Sequence, residues 1–181
     1  MSRATARTAI VAYLNSKGSG TGGDGTIPFL NSVFGFPQKF TPEGDFFAGE
    51  DPGMQGGAMI FLYFEPQKST RAELRGANAG GKFVDFPVAM NIVFRSMKTQ
   101  TQDAAEDNES MLDGLLKAIN DSKTAGTSDG SVWSWGEGGT GKGPDLELTS
   151  HYPRPLSGAN AVTEINSRLI VQVVQFQTSD G

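Results

Sequence analysis

Between Lys82 and Lys123 the hydrophobic period changes once, and that change limits the folds open to the chain. From Lys82 to Met97, Val84, Phe86, Val88, Met90, Ile92 and Phe94 share one parity, while Asp85, Asn91 and Arg95 take the other. A period of two marks a strand with one face in a core. After the polar joint at 98–102, Ala104, Ala105, Asn108, Met111, Leu112, Leu115, Leu116 and Ile119 recur three or four apart, the spacing of one helical face. A strand at 82–97 feeding a helix at about 103–123 predicts a sheet with that helix laid on it.

With 181 residues the chain is expected to form a single domain, 1–181, able to bury a real core. Its 24 glycines are near double the ~7% average, so flexible loops are expected near 17–25, 76–81, 124–130 and 136–143. The net charge of −5 argues against binding nucleic acid through its phosphates and against an anionic membrane. There are no cysteines, which removes disulfides, thiolate nucleophiles and sulfur-ligated zinc. The longest apolar run, 58–64, is far short of the ~20 residues of a spanning helix. The N-terminus has no apolar stretch of signal-peptide length.

Along the chain, 3–16 reads as a first helix carrying Ala6, Ile10, Tyr13 and Leu14 on one side, with Ser2 as N-cap and Gly18 as stop. The segment 27–47 holds Phe29, Phe34, Phe36, Phe40, Phe46 and Phe47 among three prolines. It fits either a loop folded over the core or a surface covered by another subunit. Ala58–Glu65 is apolar on both faces and reads as a doubly covered central strand. The alternating 70–75 pairs with 82–97 in a hairpin, and Pro87 marks an edge or bulge. Asp103 and Glu106 resemble a capping box, and Gly114 inside the helix implies close packing. Strands are expected at 132–135, 145–152 and 162–177, the last with a bulge or end near Val173–Val174.

No catalytic constellation is found. Gly136 to Lys142 fits G-x-x-x-x-G-K, but Gly143 stands where a phosphate loop needs Ser or Thr, and no helix follows. His151 is the only histidine, and it stands beside Tyr152 and before Pro153, a strand-to-turn position that suits a surface or interface histidine rather than a general base. Asp103, Glu106, Asp107, Glu109 and Asp113 lack calcium-loop spacing and serve the helix N-terminus. No enzyme activity, cofactor or metal is therefore expected. Trp133 and Trp135 alternate with serine and face the same way, either to pack at a core or subunit boundary or to stack on a ligand.

The order of these segments carries a resemblance. An Ala-Arg-Thr-Ala-Ile-Val-Ala-Tyr-Leu helix precedes an aromatic, proline-rich segment and a strand ending Phe-Glu-Pro. A charged Arg-Ala-Glu-Leu-Arg-Gly strand, a Gly-Gly-Lys-Phe-Val turn and strand, and an acid-capped helix ending Leu-Leu-Lys-Ala-Ile follow, before a closing strand pair. This resembles the tail terminator proteins of long-tailed bacteriophages, especially those of actinobacteria. The resemblance implies an α+β fold, a mixed and mainly antiparallel sheet with the N-terminal helix and the 103–123 helix packed on one face. It implies a homohexameric ring that caps the head-proximal end of the tail tube, ends tail growth and joins the head-side connector. The partners would be the tail tube protein and a connector or stopper protein. DNA would pass through without specific binding, no membrane would be involved, and the site would be the virion neck after assembly in the host cytoplasm. The long segments at 17–25 and 136–143 leave open a stopper, an adaptor or a minor tail protein. A small ligand-binding domain using Trp133, Trp135 and Tyr152 as an aromatic platform is the reading from another class. Candidate interface residues are Phe34, Phe36, Phe40, Phe46 and Phe47, the outer-face charges Arg71, Glu73, Arg75 and Arg95, and Trp133 and Trp135.

Overall fold

The computed structural model describes residues 3–36, 56–66, 68–71, 81–96, 98, 101–122, 124–128, 131–136, 146–150, 154–156 and 162–178. In chain order these form α1 (Arg3–Lys17), β1 (Leu30–Phe34), β2 (Gly57–Phe64), β3 (Lys68–Arg71), β4 (Gly81–Ser96) and α2 (Thr101–Asp121). Then come β5 (Thr124–Ser128), β6 (Ser131–Trp135), β7 (Leu146–Ser150), β8 (Arg154–Leu156) and β9 (Val162–Thr178). All nine strands join one sheet of order β1-β2-β4-β9-β6-β5, with β3 on β4 and β7 and β8 on β9. Only β1 and β2 are parallel; every other pairing is antiparallel. The α+β expectation is met.

The long alternating stretch is the spine. β4 pairs with β9 along its whole length, from Gly81 opposite Thr178 to Ser96 opposite Thr163, with no break in register. Val84, Phe86, Val88, Met90, Ile92 and Phe94 are all buried on one face, opposite Val171, Val173, Leu169 and Ile165. Because the side-chain period is two, a slip of one residue would turn that whole set outward. Both helices lie over this face. Their buried residues, Ala6, Ala9, Ile10 and Leu14 of α1 and Ala104, Met111, Leu112, Leu115 and Ile119 of α2, join the same apolar cluster. The Tyr13 hydroxyl donates to the Ala118 carbonyl at 2.8 Å and so ties the two helices together.

Gly114 packs as its sequence position predicts. A Cβ there would lie 2.6 Å from Pro28 Cδ and 2.8 Å from the Thr26 carbonyl oxygen, so the 26–28 backbone runs against the helix.

Several expectations need correcting. The stretch 124–130, expected to be a flexible loop, contains β5, which pairs with β6. Its small residues gave no alternating signal, yet Ala125 and Gly126 are buried beside α1. β9 has no bulge at Val173–Val174. Gln175 takes the core-face parity and is buried at 4% exposure, and a polar residue on that parity mimics a change of phase. Pro87 lies inside the interior strand β4 rather than at a sheet edge or bulge. It falls between the rows served by β2, which ends opposite Val88, and by β3, which starts opposite Asp85, so the missing N–H breaks no ladder bond. α2 starts at Thr101, so Asp103 sits in its first turn rather than at its cap, and the Gln102 amide donates to Glu106 instead, at 3.1 Å. The hairpin with β4 forms, but its first strand is Lys68–Arg71; residues 72–75 lie outside the described residues, as does Ser2.

The 17–25 segment, also expected to be a flexible loop, is folded against the free edge of β1. Ser19 and Gly20 donate backbone N–H groups to the Leu30 carbonyl at 2.9 and 3.2 Å. Asn15 of α1 accepts from Val33 N–H at 2.8 Å and donates to the Val33 carbonyl at 3.3 Å. An edge strand with its polar groups occupied in this way does not template another chain. Lys17 Nζ and Asp24 Oδ2 close the loop at 2.5 Å. The Lys17 hydrogen bond holds the Asp24 carboxyl well below the ordinary carboxylate range, and its counterpart raises Lys17.

Two outcomes follow. Gly114→Ala gains about 1 kcal/mol of helix propensity but overpacks a site bounded by backbone, which typically costs ~1–3 kcal/mol. Urea denaturation should show a net loss of stability rather than a gain. For the loop, a depressed carboxylate pKa contributes stability above the ordinary value of ~3.9, and that contribution is lost as pH falls through the lower folded value. The raised Lys17 contributes below its ordinary value, up to high pH. A carbonyl-detected NMR titration should place the Asp24 midpoint below the ordinary value, and Lys17→Ala should move it back up.

Candidate assembly surface

The core face uses the even residues of β2 and β4 and the odd residues of β9; the opposite parity forms a second face. No described helix or strand lies over it. Cross-strand rows can be read from the register. One row runs Phe34, Phe61, Asn91, Arg168 and Thr149; another runs Tyr63, Ala89, Ile170 and Glu147; a third runs Ser32, Met59, Val93 and Asn166. The β1 end of this face is aromatic. Phe34 and Phe61 stack with centroids 5.5 Å apart and planes 18° from parallel, both half-buried, and Tyr63 is 39% exposed. Val93, Ile170 and Val174 are half-buried, whereas Met59 and Ala89 are buried among their neighbours.

Charged pairs border this apolar patch. Arg95 and Glu164 sit directly opposite each other, and Arg95 Nε donates to Glu164 Oε2 at 2.9 Å. Asn166 takes the second carboxylate oxygen at 3.2 Å. Arg168 on β9 reaches past β4 to Glu65 at 3.4 Å, a pair half open to solvent. The solvent-open Glu65–Arg168 pair contributes ~0–1 kcal/mol, so it borders the patch more than it stabilises the fold. An aromatic centre inside a polar margin is the usual anatomy of an interface.

The predicted interface residues therefore separate. Phe34 and Arg95 lie on the helix-free face. Phe36, 62% exposed, lies beyond β1 with the Arg7 guanidinium 3.9 Å above its ring. Arg71 pairs with Lys82 at the end of β3. Phe40, Phe46, Phe47, Glu73 and Arg75 lie outside the described residues, as do His151 and Tyr152.

Trp133 and Trp135 belong to the core, at 0% and 6% exposure. Trp133 packs on Phe86 at 5.3 Å and Trp135 on Tyr13 at 6.1 Å. Their alternation with serine correctly puts both rings on one side, but that side is the interior, so they offer no platform to a ligand. The expectation that β2 is covered on both faces hides Phe61 and Tyr63. It is interior to the sheet, yet helices cover only one of its faces. The signal was present: an all-apolar strand in a sheet with helices on one side must leave an apolar second face.

No protein-family model and no curated protein sequence matches this chain. Among solved structures, it is similar to a chain of the virion of a native gene transfer agent particle. The likeness covers 96% of this chain and 99% of that one, at 12% identity and a TM-score of 0.35. A score at that level does not establish a shared fold, so the functional reading rests on the chain's own residues.

Proposed function

We propose that the protein is a structural component of a phage virion: a tail terminator subunit that forms a ring, most simply a homohexamer, at the head-proximal end of the tail tube. The ring ends tail growth and presents a surface to the head-side connector at the virion neck. It carries no enzyme activity. The observation that carries this reading is the one-sided layer, in which the helices cover one face of the sheet and leave Phe34, Phe61 and Tyr63 on the other. A monomer gains nothing from half-exposed aromatics bordered by ion pairs, whereas an assembling subunit buries them. The segment order supports the tail terminator within that class. A neighbouring neck protein, either stopper or adaptor, would use the same face. The acidic balance suits a channel that lets DNA slide without retaining it, because phosphates are repelled.

The test is assembly itself. Sedimentation velocity and negative-stain imaging of the full chain, alone and with tail tubes, should show rings or capped tube ends. Tyr63→Asp, which puts a charge on the aromatic patch, should weaken assembly while leaving the thermal melt of the subunit nearly unchanged. A chain that stays monomeric at high concentration and never caps tubes contradicts the proposal.

A further inference from the structure

Near the start of α1 two arginines stand one helical turn apart, and no carboxylate pairs with either among the described residues. Arg3 donates to the Phe64 carbonyl and, at 2.7 Å, to the Glu65 carbonyl. Arg7 lies between two rings, 3.9 Å from the Phe36 centroid and 5.1 Å from that of Phe64. Its Nε is buried without a hydrogen-bond partner. Burial first, and the Arg3 charge second, hold Arg7 below its ordinary pKa. The first turn of α1 contains no acid. Two like charges at i and i+4 repel, and here carbonyl oxygens and aromatic rings face them but no carboxylate of the described subunit does. The aromatic walls orient the Arg7 guanidinium and restrict water around it, which strengthens any carboxylate contact made there.

A matching pair of opposite sign lies on α2. Glu109 and Asp113 are exposed, again at i and i+4, on the side of the helix away from the buried Ala104, Met111 and Leu115. Neither has an ion-pair partner among the described residues. Both pairs span ~6 Å of helix rise, so two arginines can meet two carboxylates when the helices lie side by side. The two pairs do not meet within a subunit.

We propose that Arg3 and Arg7 of one copy receive Glu109 and Asp113 of the next, a head-to-tail contact that closes the ring. This deepens the ring reading and rests on it. A contact between two different patches of the same chain is heterologous, the kind that generates rings when its rotation closes. It relieves two repulsions at once, and the second copy is the occupant because its exposed acids have the matching sign and spacing. An acidic segment of another virion protein is the competing occupant that the test separates.

The experiment uses charge reversal in the full chain, read by sedimentation velocity over a concentration series. Arg3→Glu with Arg7→Glu, and separately Glu109→Arg with Asp113→Arg, should each raise the concentration of half-assembly by about tenfold or more, since like charges then face each other. Mixing the two variants should restore assembly, because alternating copies are complementary at every contact of an even-numbered ring. Circular dichroism of each variant checks folding, and Arg7→Gln, which removes charge without reversing it, should give a smaller loss. Wild-type rings that form alike in both reversed variants, or variants that fail alone and also fail when mixed, overturn the contact and leave the ring reading standing. The first result is the one an acidic segment from another virion protein would give, since that segment is absent from the purified chain. A wild-type chain that never assembles overturns both.

Discussion

The pairing of β4 with β9 is the constraint on which everything else depends. The two strands run antiparallel in unbroken register from Gly81 to Ser96, a ribbon of roughly 50 Å at ~3.4 Å per residue. β2 and β3 share one side of it, and β6, β7 and β8 share the other. Since no register shift interrupts it, parity along the ribbon assigns each side chain to the helix layer or to the open face. The helices are short relative to its length and depend on it, because most helical stability in a protein comes from packing an amphipathic face.

Much of this was legible because it rests on periodicity. The change of period between Lys82 and Lys123 located β4 and α2, and the buried rows of both agree with the pattern. Gly114 announced a close approach because glycine inside a helix is otherwise a loss. What stayed hidden has a physical cause in each case. β5 has small and hydroxyl side chains whose role is to let α1 come near, and such residues look like linker. Gln175 is polar on a buried parity and imitates a bulge. The 17–25 segment contributes backbone hydrogen bonds to the β1 edge, and backbone bonding leaves little trace in side-chain pattern. For the surface, Trp133 and Trp135 misled because aromatic alternation shows that two rings share a side without showing which side.

One interaction system therefore serves two ends. The alternation that drives one set of side chains into the core leaves the other set on a face bordered by Arg95–Glu164 and Glu65–Arg168. Among the described residues the helices lie on one face only. The aromatic rows of the second face, and the arginines at the start of α1 that no described carboxylate pairs, are features that a solitary subunit does not need. Both make physical sense in a subunit whose remaining partners are other protein surfaces.

The central claim is that the helix-free face becomes buried by assembly, and solvent access at Tyr63 tests it most directly. Hydroxyl-radical footprinting can compare the dilute subunit with the assembled protein at the same pH and ionic strength. The account predicts that labelling of Phe61 and Tyr63 falls several-fold on assembly. Equal labelling of Tyr63 in both states would contradict it.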